Sequence, residues 1–158
     1  MVYIALFGVA VAILDQLSKL LVVQSIPYHG FVQAIPGLFS LTYTHNTGAA
    51  FSTMEGQFWL FGLIFLVFTA AFVAELGWHK LGLTKPEQWF LAAIWGGGLG
   101  NMIDRVFRGY VVDMINLEFM TFPVFNVADC FITCGCIALM VSLLFFNKTF
   151  WKDDKKCA

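Results

Sequence analysis

Four long apolar stretches joined by short polar connections leave this chain one practical solution, which is to cross a lipid bilayer repeatedly. They run over about residues 2–23, 57–76, 88–106 and 126–147. A membrane-spanning helix needs about 20 residues, with a range of ~17–25, so each stretch is long enough. The backbone of a spanning segment must satisfy its own hydrogen bonds, which leaves helices or closed barrels. Composition agrees: 59% of residues are hydrophobic and 12% charged, against roughly 45–50% and about 25% in soluble domains. The expected fold is therefore an all-α membrane protein, one integral domain over 1–158 with four transmembrane helices. The first stretch lacks the basic start and small-residue cleavage site of a secretory signal, and Asp15 and Lys19 stand where that signal would end. It reads as a retained helix.

Charge orients these segments. Lys80 and Lys85 lie between the second and third, and Lys148, Lys152, Lys155 and Lys156 follow the fourth. Only Arg105 and Arg108 sit at the opposite ends. The excess of lysine predicts both termini in the cytoplasm, with residues 148–158 as a cytoplasmic tail. The stretch from about 30 to 54 then faces outward. Within it Leu41, Tyr43 and His45 alternate with Thr42, Thr44 and Asn46, the period-two pattern of a strand. A small β element on the outer membrane surface is expected there. Its continuation past Asn46 is rich in glycine and alanine and is a candidate lid.

Ionisable groups in or beside apolar segments are costly and mark candidate sites. Asp15 and Lys19 are four apart and share a helix face, which predicts an internal ion pair. Pairing keeps Asp15 ionised, so it is a poor general acid. Asn101, Asp104, Arg105 and Arg108 form the polar end of the third segment. They read as a hydrogen-bond network or as a holder for a substrate backbone or lipid head group. The preceding glycines do not complete a dinucleotide fingerprint, because Asn101 stands where its last glycine belongs. Gly96-x-x-x-Gly100 reads instead as close helix packing.

Asp113 and Asp129 have no basic neighbour in sequence. Taken singly, either is a helix cap or an interfacial charge. If they meet, both cannot stay ionised, and the pair can share a proton. One carboxylate then acts as base on a water while its protonated partner polarises a carbonyl. Asn126 lies one turn before Asp129 on roughly the same face.

Other chemistries find little support. The net charge is -1 with no basic run, so nucleic acid is not expected. Cys130, Cys134 and Cys136 lie in one apolar stretch, where thiols behave as small hydrophobes, and the three histidines are distant in sequence. No metal and no cofactor are expected.

Five motifs taken together resemble those of the bacterial lipoprotein signal peptidases, the signal peptidase II family. They are Asp15-Gln16-Leu17-Ser18-Lys19, Asn46-Thr47-Gly48-Ala49-Ala50-Phe51, Gly100-Asn101-Met102-Ile103-Asp104-Arg105, Val111-Val112-Asp113 and Phe125-Asn126-Val127-Ala128-Asp129. The resemblance implies an aspartyl endopeptidase of the bacterial inner membrane. Such enzymes cut a prolipoprotein signal peptide just before the cysteine that carries diacylglycerol. It further implies Asp113 and Asp129 as the catalytic pair, near the outer face. Asn46, Gly48, Asn101, Arg105 and Asn126 match positions that shape the site or hold substrate, and Asp15, Lys19 and Asp104 match supporting ones. Membrane lipid is an expected partner and a monomer the expected state. Met114, Val127 and Cys130 replace the more usual Phe, Leu and Ser, which alters pocket shape and leaves the chemistry. Two rivals from other classes are an ion-coupled transporter using Asp15, Lys19, Asp104 and Arg105 as a relay, and a non-catalytic scaffold.

Overall fold

A computed structural model describes residues 1–48 and 58–147. Four helices carry most of the chain: α1 (Val2–Ser25), α2 (Phe58–Trp78), α3 (Lys85–Arg108) and α4 (Val127–Val141), the last followed by a π-helical turn at Ser142–Phe146. Three strands complete it: β1 (Phe31–Ile35) and β2 (Phe39–Asn46) between α1 and α2, and β3 (Val111–Leu117) between α3 and α4. The coarse expectation, a mostly helical protein with a small β element, holds. Among the described residues three helices are long and apolar enough to cross a membrane: Val2–Ser25, Trp59–Trp78 and Val127–Phe146. α3 is 24 residues long, as α1 is, but carries Asn101, Asp104, Arg105 and Arg108 in its second half.

That polarity is tolerable because α3 is central, packing against α1, α2 and α4. Its glycines let the backbones approach. A Cβ on Gly96 would collide with the Gly8 carbonyl of α1, and one on Gly97 would lie 2.6 Å from the Ala128 carbonyl of α4. At Gly100 it would strike the Asp15 carboxylate. The packing reading of this glycine run is thus visible atom by atom. The ends of α3 are equally specified. The Glu87 carboxylate accepts the Thr84 N–H at 2.7 Å, and Gly109 leaves the helix at φ 77°, a left-handed conformation that glycine adopts without steric cost.

The sheet has the order β1-β2-β3, antiparallel throughout. β2 covers the alternating Leu41–Asn46 run, while β3 was not legible as a strand. Val111, Val112, Asp113 and Met114 are all buried, so this strand is covered on both faces and shows no alternation. Irregular pairing between Leu41 and Thr44 bends β2, and beyond it Thr44 lies opposite Asp113 and Asn46 opposite Val111. Val22 and Ile26 at the end of α1 pack with Tyr43, Val112 and Met114, fixing the sheet on the helices. Residues 49–57, which hold most of the candidate lid, and the tail 148–158 lie outside the described residues.

Candidate active site

Asp113 comes from the middle of β3 and Asp129 from the first turn of α4, and both line one cavity of about 630 Å³. Asn126 joins them. Its side-chain amide donates to Asp113 Oδ1 at 2.7 Å, and its backbone N–H donates to Asp129 Oδ2 at 3.2 Å. The side-chain Oδ1 of Asn126 in turn accepts the Asp129 N–H at 3.0 Å. Asn126 and Asp129 are therefore a reciprocal capping box that starts α4. The cap role open to Asp129 on sequence grounds is real, and it places that carboxylate at the positive end of a helix.

Two further amides finish the arrangement. Asn46 Nδ2 donates to Asp113 Oδ2 at 2.9 Å, and Asn101 Nδ2 donates to Asp129 Oδ1 at 2.8 Å. Each carboxylate oxygen of the pair thus has a fixed N–H donor. Burial pushes the Asp113 carboxyl up to about 6, and the charge of Asp129 adds to the rise against the pull of the Asn46 and Asn126 hydrogen bonds.

Behind the pair lies a sealed ionic layer. Lys19 is fully buried and donates to Asp15 Oδ2 at 2.7 Å, Asp104 Oδ2 at 3.0 Å and Asn101 Oδ1 at 2.9 Å. The lysine thereby fixes which way the Asn101 amide points: its oxygen toward the ammonium, its nitrogen toward Asp129. Asp15 also accepts the Ala128 N–H at 2.9 Å, and Asp104 accepts the Val112 N–H at 3.1 Å. One layer therefore ties α1, α3, α4 and β3 together. Gln16 adds a bond to the Gly100 carbonyl at 3.0 Å and one to Asp104 at 3.2 Å.

Arg105 closes the other side of the cavity. It donates to the Asn101 carbonyl at 3.2 Å and to the Gly48 carbonyl at 3.3 Å, and its guanidinium lies 4.3 Å from the centroid of the Phe61 ring. Gly48 itself donates its N–H to Asn46 Oδ1 at 3.0 Å. Asn46, Gly48, Asn101, Arg105, Asp113, Asn126 and Asp129 all line the cavity, while Asp15, Lys19 and Asp104 stand behind it. Phe61, Val111, Phe122, Phe125, Cys130 and Cys134 make much of the remaining wall. Among the described residues no cluster of three metal-ligating side chains occurs.

With this geometry in hand, comparison with known proteins is decisive. The family model described as signal peptidase (SPase) II matches residues 7–145. The chain belongs to the signal peptidase II family. Similar proteins include lipoprotein signal peptidases of Streptococcus agalactiae serotype Ia, 41% identical over 97% of this chain and 94% of the relative, and of Streptococcus pneumoniae R6, 43% identical over 83% and 85%. Two solved bacterial membrane enzymes share the fold. One has a TM-score of 0.86 at 29% identity over 100% of this chain and 96% of that one, the other 0.82 at 30% over 92% and 95%. Membership in this signal peptidase II family makes the protein a peptidase, and its apolar helices make it a multi-pass membrane protein of the bacterial inner membrane.

Sequence reasoning missed two groups of residues. One is an aromatic brace beside Asn46, in which the His45 ring stacks on Tyr110 at 3.6 Å and His45 Nε2 meets the Tyr43 hydroxyl at 2.8 Å. Burial, with the neighbouring His29, lowers the pKa of His45, which disfavours a charged ring in the brace. The strand pattern located Tyr43 and His45 but not Tyr110, and gave no hint of the stacking. The other group, around Glu75 and Glu87, lies at the far end of α3.

Proposed function

We propose that this chain is an intramembrane aspartyl endopeptidase that removes signal peptides from diacylglyceryl-modified prolipoproteins, cutting just before the lipidated cysteine. The observation that carries the reading is the convergence of Asp113 and Asp129 on one largely apolar cavity, with Asn126 donating to both. The lipid-bearing substrates of the relatives named above suit a cavity walled by Phe61, Phe122 and Phe125.

The surroundings of the two carboxylates divide their labour. Asp129 sits at the N-terminus of α4, where negative charge is favoured, and accepts from an amide whose other end faces the Lys19 ammonium. Asp113 lies mid-strand, buried, and among the described residues it accepts its side-chain hydrogen bonds from the neutral amides of Asn46 and Asn126. Asp129 is the base that takes a proton from water, and the resulting hydroxide adds to the scissile carbonyl. Asp113 gives its proton to the carbonyl oxygen. Asp129 then returns its proton to the departing amide nitrogen as the carbon–nitrogen bond breaks, and Asp113 takes back a proton from one hydroxyl of the gem-diol, which becomes the carboxyl of the product. Arg105 and Asn46 hold the rim, and Asp15, Lys19 and Asp104 hold the floor.

In this reading α3 is the fourth spanning helix. Its length suffices, and the three apolar helices around it shield its polar face. The lysines at 80, 85, 148, 152, 155 and 156 support a reading with both termini in the cytoplasm and the cavity near the outer face. A monomer is the proposed state.

The test is cleavage of a diacylglyceryl-modified prolipoprotein by purified protein in detergent, beside the unlipidated form. Cleavage before the lipidated cysteine only, lost in folded Asp113→Asn and Asp129→Asn, is the expected result. Cleavage that survives both substitutions would discard the mechanism.

A further inference from the structure

The wall that α4 gives the cavity carries two thiols that the proposed reaction does not use. Cys130 follows Asp129 directly, and Cys134 lies one helical turn further along α4. Both line the same cavity as the aspartate pair, both are free, and Cys134 is exposed. Cys136, two positions on from Cys134, does not line it. Residues four apart on a helix share a face, with Cβ atoms about 5–6 Å apart. A disulfide needs about 3.5–4.5 Å between Cβ atoms. The pair is therefore too wide to close on itself while α4 stays helical, yet near enough for one soft atom to bridge both sulfurs. Soft, thiophilic centres are the class that such a pair selects.

We propose that Cys130 and Cys134 form a dithiol site for trivalent organoarsenicals in the wall of the cavity, and that its occupant blocks the approach to Asp129. Two S–H groups condense with one R–As=O group: two As–S bonds form, the As=O oxygen leaves as water with both thiol protons, and arsenic stays trivalent. No oxidant or reductant is needed. The aryl group of the adduct fits the cavity's apolar lining, where Val111, Phe122 and Phe125 lie. A bridged ligand anchored at Cys130 stands one residue from Asp129, inside the space that a peptide must enter. The proposal rests on the reading of this cavity as the substrate site only for the block, and not for the binding.

The probe is phenylarsine oxide on purified full-length protein in detergent, read by intact mass and by cleavage of the lipidated prolipoprotein. The wild type is expected to keep one phenylarsenic group through a wash with a monothiol, to release it to 2,3-dimercaptopropanol, and to lose cleavage in between. Cys130→Ser and Cys134→Ser should each lose the monothiol-resistant adduct and resist inhibition, every rate being taken relative to the same variant untreated. Cys136→Ser and Cys157→Ser should behave as wild type. A resistant adduct that persists in Cys130→Ser or Cys134→Ser overturns the site, and an adduct that leaves cleavage untouched overturns the block. Protein that never cleaves, even untreated, contradicts the peptidase reading instead, and the mass result still decides whether the dithiol exists.

Discussion

The two ends of α3 each hold a pair of carboxylates among apolar helices, and they handle them differently. At one end Asp113 and Asp129 take most of their hydrogen bonds from side-chain amides contributed by β2, α3 and the α4 cap, and they face a cavity. At the other, Glu75 and Glu87 are fully buried and serve the backbone. Glu75 accepts the N–H groups of Leu81 and Leu83 at 2.7 and 3.1 Å, which fixes the turn from α2 to α3. Glu87 accepts from Thr84, from Ser142 Oγ at 2.8 Å and from Asn147 Nδ2 at 2.8 Å, which ties that turn to the end of α4. Burial of two acids therefore does not by itself make a site. Carboxylates that complete turns have no work left to do on a substrate, whereas carboxylates positioned by amides on one side and open on the other do.

The strongest test of this contrast exchanges acid for amide at both ends. Asp129→Asn is expected to lower kcat on the lipidated substrate by on the order of 10³-fold or more, since residues acting as a unit fail together. Glu75→Gln is expected to keep kcat while lowering the unfolding temperature in detergent. Equal losses of kcat at the two ends would erase the distinction.

A second difference is the cation. Lys19 pairs with Asp15 and Asp104, and Arg108 lies 3.5 Å from Asp104, while among the described residues Glu75 has only His79, 3.9 Å away. Lys19→Met leaves Asp15 buried without its cation and Asp104 with Arg108 alone, and breaking a buried pair in this way costs about 3–5 kcal/mol. Thermal unfolding should show that loss, and Lys19→Met combined with Asp15→Asn should recover part of it. A Lys19→Met protein as stable as wild type would mean that the ionic layer is not what holds the outer end together.

Much of this was legible in sequence for a simple reason. The aspartates that matter have few neighbours of opposite charge, and apolar flanks make an isolated acid conspicuous. Asp15 and Lys19 announce their pairing by spacing alone. Glu75 and Glu87 escaped notice because their partners are mostly backbone groups of the turn and the distant Ser142 and Asn147, which no spacing reveals. β3 escaped for the complementary reason: buried on both faces, it reads as a plain apolar run. The orientation of the Asn101 amide, set by Lys19, is likewise a fact of three dimensions.

Titration offers a third separation. Asp113 binds its proton more tightly in the folded protein, at about 6 against 3.8 for a free side chain. Its contribution to stability is therefore full below pH 3.8 and is lost as pH rises through about 6. If Asp113 is the acid of the pair, kcat/KM should fall on the same rise, by about tenfold per pH unit beyond the apparent value. The charge of Asp129 adds to the rise at Asp113, so Asp129→Asn should move that limb to lower pH even where residual activity is small. A pH profile that stays flat from 5 to 9, with chemistry limiting, would remove Asp113 from the acid role.

The smallest expected effect lies at the turn itself. Glu87→Gln keeps one carbonyl oxygen but turns an amide N–H₂ toward donors that need an acceptor, among Thr84 N–H, Ser142 Oγ and Asn147 Nδ2. Leaving a buried donor unsatisfied costs about 1–3 kcal/mol. The cost should appear in unfolding, with kcat per folded enzyme unchanged. The site is 14 residues away along α3 at Asn101, about 20 Å at 1.5 Å per residue. A fall in kcat with stability intact would mean that α3 transmits a shift from its turn to Asn101. The two carboxylate pairs would then be one coupled system rather than two independent solutions to burying acids in a membrane.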